Sequence, residues 1–248
     1  MDQAPTTGFG PQGPAATCVD VGGSGIQTVL LNDDGSYVVL AGAHAEPGRP
    51  LLVAAPGLHT DGRVVIASNL GWFDVDPADE LGLAGPAHLL CNDAEAAALG
   101  ESVLRPDRPE LVFVGLGTGV GAATVDGDDV TPNLIAHGGG FGDRPCRCGE
   151  TGCLETVAGG WALPTPLGSA DLERVADALA TAILGEPRCA LPLVVVAGGL
   201  ASAYPELIFR LARRLPDRTV EPSAAPPGVK SAAAWGLRHA YAIAAESV

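Results

Sequence analysis

Two stretches of this chain carry the same pattern, and the repetition constrains the fold more than any other feature. In the first, the apolar run TCVDV leads into the glycine turn GGSG and a second apolar run; in the second, LVFVG leads into LGTGVG in the same way. Short apolar runs separated by glycine turns are typical of antiparallel strands. Each stretch later gives way to helix-forming sequence, which predicts an α/β fold with two similar lobes.

Helix-forming segments can be placed between and after these strands. Residues 93–104 carry strong helix formers behind an Asn/Asp cap. We expect further helices near 171–184, 204–214 and 231–245, and a buried strand in LPLVVVAGG. The expected organisation is a flexible N-terminus over 1–16, a small lobe of 17–108 plus 232–248, and a large lobe of 109–231 with a cysteine cluster.

The composition excludes several classes of partner. Of the 248 residues 47% are hydrophobic, enough to bury a core, and the formal charge of −15 argues against binding to nucleic acid or to an anionic membrane. The sequence has no run of about 18 apolar residues and no basic, apolar export signal at its start, so we expect a cytoplasmic protein. An anionic substrate would have to be held by backbone amides, a helix N-terminus or a divalent cation.

The first glycine turn follows a carboxylate at a strand end. Asp20 precedes Gly22, Gly23 and Ser24. A carboxylate here can orient a magnesium-bound water, and glycine amides can approach phosphate oxygens closely. An ordinary hairpin turn would explain the same residues, so the motif is weak alone.

The second glycine turn contains Gly117, Thr118 and Gly119. A strand follows it where a dinucleotide-binding unit needs a helix, which excludes that class of site. Together the two turns predict two loops that grip one polyphosphate, with the N–H groups of alternate glycines lining it.

Asn92 and Asp93 lie where a predicted strand meets a predicted helix. Helix capping is the simpler interpretation of both residues. The alternative is that Asp93 accepts a hydroxyl proton during phosphoryl transfer.

Three of the six cysteines form a C-x-C-x₄-C cluster: Cys146, Cys148 and Cys153. Three thiolates on one loop would hold a structural zinc ion once a fourth ligand is supplied. Three buried free thiols are the alternative.

The order of these motifs resembles the ROK family of bacterial sugar kinases and regulators from about residue 17 to 245. The matching segments are DVGGS, AAPGLHTDGRV, SNLGW, NDAEAAALGE, GLGTGVGAATVDG, CRCGETGCLE and VVVAGGL. The resemblance implies an actin-like (ribonuclease-H-like) two-lobed sugar kinase fold with ATP and sugar in the interlobe cleft. ROK regulators often carry an N-terminal DNA-binding domain, for which we expect no room before residue 17, and ROK proteins are often dimers, so a homodimer is one expected assembly.

The resemblance also implies roles for individual residues. Asp93 is the implied general base. The implied sugar ligands are Asn69, Gly71, Asn92, Gly139 and Glu155. The implied contacts to ATP and to magnesium-bound water are Asp20, Gly22, Gly23, Ser24, Gly117, Thr118, Gly119, Gly198 and Gly199.

One segment departs from the family pattern. ROK kinases usually carry G-E-x-G-H before the cysteines, with the Glu on the sugar and the His bridging sugar and zinc. Here the register is Gly139-Gly140-Phe141-Gly142-Asp143. Asp143, which occupies the histidine position, is the preferred fourth zinc ligand, and His137 is the alternative.

The resulting expectation is an ATP-dependent kinase for the 6-hydroxyl of a hexose, using Mg²⁺ and carrying structural Zn²⁺. A carboxylate at 143 would favour an aminohexose, as in the ROK kinases that act on kanosamine in antibiotic pathways. Plain glucose is the first alternative. A non-catalytic sugar sensor that keeps the fold is the second.

Overall fold

The computed structural model describes residues 11–127 and 129–246 and divides the chain into two compact units. The first unit takes in the described residues up to Pro106 together with those from Ala224 onward, and the second extends from Asp107 to Ser223. Residues 1–10 of the expected flexible N-terminus lie outside the described residues. The first strand begins at Ala16.

The described residues of the N-terminal part of the first unit form eight strands and two helices. The strands are β1 (Ala16–Gly22), β2 (Gly25–Leu31), β3 (Tyr37–Ala41), β4 (Leu51–Ala55), β5 (Leu58–Thr60), β6 (Arg63–Ala67), β7 (Trp72–Val75) and β8 (Leu89–Asn92), and the helices are α1 (Pro77–Glu80) and α2 (Asp93–Val103). Five strands form one sheet in the order β3-β2-β1-β4-β8, and β5-β6-β7 form a second, three-stranded sheet.

Five strands and four α-helices lie in the part of the second unit that the structure describes. In chain order they are β9 (Leu111–Leu116), β10 (Val120–Asp126), β11 (Asp129–Pro132), α3 (Glu155–Ala158), α4 (Ser169–Gly185), β12 (Leu193–Ala197), α5 (Gly199–Ala203), α6 (Glu206–Ala212) and β13 (Thr219–Pro222). Short 3-10 helices cover Leu134–His137, Gly160–Ala162 and Pro187–Cys189. The chain then returns to the first unit, where it ends in α7 (Ala233–Glu246).

The two five-stranded sheets have the same topology. In the second unit the order is β11-β10-β9-β12-β13, and in both sheets the first three strands of the unit are antiparallel while the last two run parallel to the central one. The central parallel strands β4 and β12 are buried along their whole length, as expected for strands with paired neighbours on both sides. The predicted α/β fold with two similar lobes is confirmed.

The predicted helices are present with shifts of up to two residues at their ends. The small sheet β5-β6-β7 was not predicted. A second difference lies between β3 and β4, where nine residues connect Ala41 to Leu51 without a helix, whereas the equivalent connection in the second unit contains α3 and α4. No described helix has the length and apolar character needed to cross a membrane.

Helices α2 and α7 pack closely because two glycines face the partner helix. A Cβ atom on Gly100 would overlap with the carbonyl oxygen of Ala232, and one on Gly236 would overlap with the carbonyl oxygen of Ala96. Next to this contact the buried Trp235 meets Tyr37 of β3 edge to face, with 5.6 Å between ring centroids. This contact joins the C-terminal helix to the sheet of the first unit.

Candidate active site

The first glycine turn is a tight hairpin between β1 and β2. Gly22 pairs with Gly25, which leaves Gly23 and Ser24 as the turn residues. Asp20 lies two residues before the end of β1, and its Oδ2 accepts a 2.6 Å hydrogen bond from the Ser231 hydroxyl. Ser231, the first residue of the last predicted helix, was not among the site residues expected from the sequence.

Asn92 makes the contacts of a helix cap at the junction of β8 and α2. Its Oδ1 accepts hydrogen bonds from the backbone N–H groups of Ala94 (2.9 Å) and Glu95 (3.3 Å), and its Nδ2 donates to the carbonyl oxygen of Gly57 (3.1 Å). The capping interpretation is therefore confirmed. Its expected role as a sugar ligand stays a prediction.

Asp93 begins α2, and one carboxylate oxygen accepts a 2.9 Å hydrogen bond from the Ala94 N–H. Burial of the carboxylate, followed by repulsion from Asp20, raises the pKa of Asp93 to about 7. Burial also raises the pKa of Asp20, although the Ser231 hydroxyl and the charge of Lys230 oppose that shift. The first unit therefore holds two interacting carboxylates, one of which changes charge near neutral pH.

The second glycine turn, between β9 and β10, uses part of its own hydrogen-bonding capacity. The Gly117 N–H donates to the Gly119 carbonyl oxygen at 3.0 Å, so this amide is engaged within the turn. The carbonyl oxygens of Gly117 and Thr118 accept hydrogen bonds from the N–H groups of Gly160 and Trp161, both at 3.0 Å. The prediction that the alternate glycines leave their N–H groups open to phosphate is wrong for Gly117, because that amide closes the turn.

Glu155 is tied to this same turn within the second unit. Its buried carboxylate accepts hydrogen bonds from the Val120 N–H and from the indole Nε1 of Trp161, both at 3.0 Å. A Cβ atom on Gly119 would overlap with Glu155 Oε2, so the glycine is needed for this approach. The expected sugar ligand and an expected phosphate contact are therefore neighbours.

Trp161 carries two arginine side chains on its ring. The guanidinium carbons of Arg144 and Arg147 lie 4.9 and 4.8 Å from the ring centroid, which is within cation–π range. Trp161 was not among the site residues expected from the sequence, although tryptophan occurs only three times in the chain. It links the arginines near the cysteine cluster to Glu155.

The remaining predicted ligands lie in turns. Asn69 and Gly71 are exposed between β6 and β7, and Gly139 is exposed after the 3-10 helix Leu134–His137. Gly198 has a φ of +95° and precedes α5, and a Cβ there would overlap with the carbonyl oxygen of Leu116. This backbone conformation and close contact explain why residue 198 is a glycine. The ligand roles of Asn69, Gly71, Gly139 and Gly198 stay predictions.

The cysteine cluster brings four potential metal ligands together. The ligand atoms of His137, Cys146, Cys148 and Cys153 all lie within 4.8 Å of one another. The Cys146 Sγ to His137 Nδ1 distance is 3.8 Å, and the Cys148 Sγ to Cys153 Sγ distance is 3.7 Å. Tetrahedral zinc with Zn–S bonds of about 2.3 Å places its ligand atoms about 3.7 Å apart, so the set fits zinc.

The chemistry of the thiols supports the same fit. Burial, together with the neighbouring thiols Cys148 and Cys146, raises the pKa of Cys153 to about 12. A cation is therefore needed to hold the Cys153 sulfur as a thiolate. Asp143, the preferred fourth ligand in the sequence analysis, is exposed and does not belong to the group of ligand atoms found among the described residues, whereas the alternative, His137, does.

The architecture defines the class of protein. It matches the crystal structure of a ROK family glucokinase from Streptomyces griseus in complex with glucose and AMPPNP, with a TM-score of 0.69 over 92% of this chain and 99% of that one, at 18% sequence identity. The fold is therefore the actin-like two-lobed fold of the ROK sugar kinases.

Sequence comparison places the chain within that class. The ROK family profile matches residues 49–182, more than half of the chain, and the chain belongs to the ROK family. It is 32% identical over 227 residues to the kanosamine kinase of Amycolatopsis mediterranei, covering 75% of this chain and 72% of that protein. It is 28% identical over 178 residues to an N-acetylmannosamine kinase of Escherichia coli O6:H1, covering 58% of this chain and 61% of the relative's length.

Proposed function

We propose that this protein is an ATP-dependent kinase that phosphorylates the 6-hydroxyl of a hexose, with Asp93 as general base. The observation that carries the proposal is the carboxylate at the start of α2 whose pKa is raised to about 7. A general base is most effective when its pKa lies near the working pH. Membership of the ROK family and the sugar kinases among its relatives support the same class of reaction.

In this reaction Asp93 receives the proton of the acceptor hydroxyl. The hydroxyl oxygen forms a bond to the γ-phosphorus of ATP while the bond from that phosphorus to the β–γ bridging oxygen breaks. The Ala94 N–H holds one carboxylate oxygen of Asp93, which fixes the direction of the other. Positioning of this kind supplies much of the rate enhancement in phosphoryl transfer.

Asp20 would hold a magnesium ion through bound water. The pKa values of Asp20 and Asp93 are raised because the ionised carboxylates are unfavourable in this buried position. A nearby cation would stabilise the ionised forms, so the two residues fit such an ion. When bound, magnesium would neutralise charge on the phosphates. The hairpin turn at Gly23 and Ser24 places backbone amides beside Asp20 for the same phosphates.

The acceptor we propose is an aminohexose such as kanosamine. Asp143 is exposed and outside the group of metal ligands, so its carboxylate is left to pair with an ammonium group on the sugar. The relative from Amycolatopsis mediterranei, which the alignment covers over 72% of its length, is a kanosamine kinase. Glucose is the main alternative, since Asn92, Asp93 and Glu155 would hold it without a contribution from Asp143.

The test compares kcat/KM for kanosamine, glucosamine, N-acetylmannosamine and glucose with Mg-ATP. We expect kanosamine to be preferred, and Asp143→Asn to reduce that preference while leaving glucose turnover nearly unchanged. The control variant must lose one negative charge away from the site. Asp107→Asn is suitable, because it removes the same charge at an exposed position. A clear preference for glucose would overturn the aminosugar assignment and leave the kinase standing, whereas no turnover with any sugar would favour a sugar sensor.

A further inference from the structure

We propose that Lys230 binds the phosphates of the nucleoside triphosphate at the hairpin turn between β1 and β2. This inference rests on the proposed kinase function and names a residue that the motifs do not include. It concerns the first unit alone, since Lys230, Asp20 and the hairpin all belong to that unit.

Lys230 is the only lysine in the chain. The protein has a formal charge of −15, so few of its side chains can attract a polyanion, and this ammonium group is one of them. The ion pairs found among the described residues are made by arginines, and none of them includes Lys230, whose side chain is exposed. The ammonium group is therefore available to a ligand.

The ammonium group lies over the hairpin turn. Gly25 is the first residue of β2 and pairs with Gly22 across the turn. A Cβ atom on Gly25 would lie 3.2 Å from Lys230 Nζ, and no other described atom would lie within 4 Å of it. The absence of a side chain at residue 25 thus leaves the lysine an open approach to the turn.

The backbone that carries Lys230 is fixed to the two strands that form the hairpin. The Lys230 N–H donates to Gln27 Oε1 at 2.8 Å, and Gln27 Nε2 donates to the carbonyl oxygen of Gly228 at 3.0 Å. The next residue, Ser231, donates to Asp20 Oδ2 at 2.6 Å. Three hydrogen bonds within four residues therefore position the lysine next to Asp20 and the turn.

The surrounding charge explains what the lysine would do. Asp20 and Asp93 repel an approaching triphosphate, and turn amides offer only partial charges against them. Lys230 is close enough to Asp20 to lower the pKa of that carboxylate, after the larger effect of the Ser231 hydroxyl. A full positive charge at this end of the hairpin would offset the carboxylates and attract phosphate oxygens.

The single lysine permits a direct measurement. Reductive methylation with ¹³C-formaldehyde keeps the charge and labels one side-chain amine besides the chain N-terminus, and Lys230→Arg identifies the side-chain resonance by removing it. We expect this resonance to shift saturably with Mg-AMPPNP and to stay in place with adenosine or with sugar alone. An unshifted resonance in a sample shown by calorimetry to bind Mg-AMPPNP would overturn the proposal, and so would a sample that does not bind it at all.

Kinetics separate binding of phosphate from simple neutralisation of Asp20. For Lys230→Met we expect the KM for ATP to rise by about tenfold or more, the scale of one charge-assisted hydrogen bond, with the KM for sugar nearly unchanged. Lys230→Arg should recover part of the loss. Arg213→Met is the matched control, because it removes one positive charge from an exposed position in the second unit.

The outcomes distinguish failure of the kinase function from failure of the lysine site. If Mg-AMPPNP shifts the lysine resonance but no sugar is phosphorylated, the kinase function fails and the lysine site stands. If sugar is phosphorylated and Lys230→Met keeps the KM for ATP, the lysine site fails and the kinase function stands. If each variant unfolds at the same melting temperature as the wild-type protein, a folding defect is excluded as the cause.

Discussion

At the scale of single residues, the carboxylate of Asp93 gives the sharpest kinetic expectation. Asp93→Asn keeps the size and the hydrogen bond from Ala94 but removes the proton acceptor. Turnover should fall by about 10²-fold or more, while ATP and sugar bind nearly as before. Steady-state kinetics together with calorimetric binding check this, and an unchanged kcat would remove Asp93 from its role as base.

The pKa of the same residue predicts a pH profile. Asp93 can accept a proton only when ionised, and its pKa lies at about 7. We therefore expect kcat/KM to fall about tenfold for each pH unit below 7 and to level off above it. A profile that is flat between pH 5.5 and 8, measured with a coupled assay whose enzymes are in excess, would contradict the assignment.

The raised pKa also predicts an effect on stability. Because the folded-state pKa of about 7 lies above the ordinary value of 3.8, the native carboxyl stays protonated between these pH values while the unfolded one ionises. Its contribution to stability is thus lost as the pH rises through 7. Asp93→Asn should raise the free energy of unfolding by about 2 kcal/mol at pH 8 and by little at pH 4.5. The value at pH 8 is smaller than the full pKa difference implies, because the side chain is partly exposed and solvent screens its charge. Urea unfolding at the two pH values measures the difference.

The cysteine cluster predicts one zinc ion per chain. Metal analysis of protein purified without chelator should find it, and His137→Ala should lose most of it because the imidazole completes the set of four ligands. Asp143→Ala is the matched comparison and should keep the metal. Zinc that survives His137→Ala and disappears with Asp143→Ala would restore the ligand preferred from the sequence.

These residues show what local sequence can and cannot predict. The strand-to-helix junction at Asn92 and Asp93 is a local signal, so the helix start and the cap could be placed from it. His137 lies nine residues before Cys146, and only the path of the intervening glycine-rich loop decides whether it or Asp143 reaches the sulfurs. Trp161 carried no motif, because its importance comes from the hydrogen bond to Glu155.

At the scale of elements, the contact between α2 and α7 predicts a stability difference between two glycines. Gly236→Ala should destabilise the protein by about 3 kcal/mol, because the added methyl group meets the backbone of Ala96 and must separate the helices. Gly185→Ala is the control at the C-terminal end of α4, where no described atom lies within 4 Å of the new methyl group. That variant should be neutral or slightly stabilising. Melting temperatures of the two proteins give the comparison, and equal values would contradict close packing at Gly236.

Elements differed in how well their sequence predicted them. The long helices α4 and α7 and the buried strands β4 and β12 have apolar patterns strong enough to be recognised without tertiary information. The sheet β5-β6-β7 consists of three to five residues per strand with exposed apolar side chains such as Leu58 and Phe73, so alternation is too short to indicate it.

At the scale of the whole molecule, the repetition in the sequence corresponds to a repetition of topology. Both five-stranded sheets have the same strand order and direction, although their connections differ in length and content. The apolar strand segments and the glycine turns in the sequence encode the topology that the two units share. The differing connections, short between β3 and β4 and long between β11 and β12, hold the features that distinguish the units, including the cysteine cluster.

The discontinuity of the first unit affects how the chain can fold during synthesis. Its sheet and α2 emerge from the ribosome early, yet α7, which packs against both, follows only after the whole second unit has been made. The second unit is continuous from Asp107 to Ser223 and is complete before α7 exists. A released chain that ends before residue 233 would therefore protect the amides of β12 from hydrogen exchange while those of α2 still exchange, which makes the later-encoded unit the first to reach its native state.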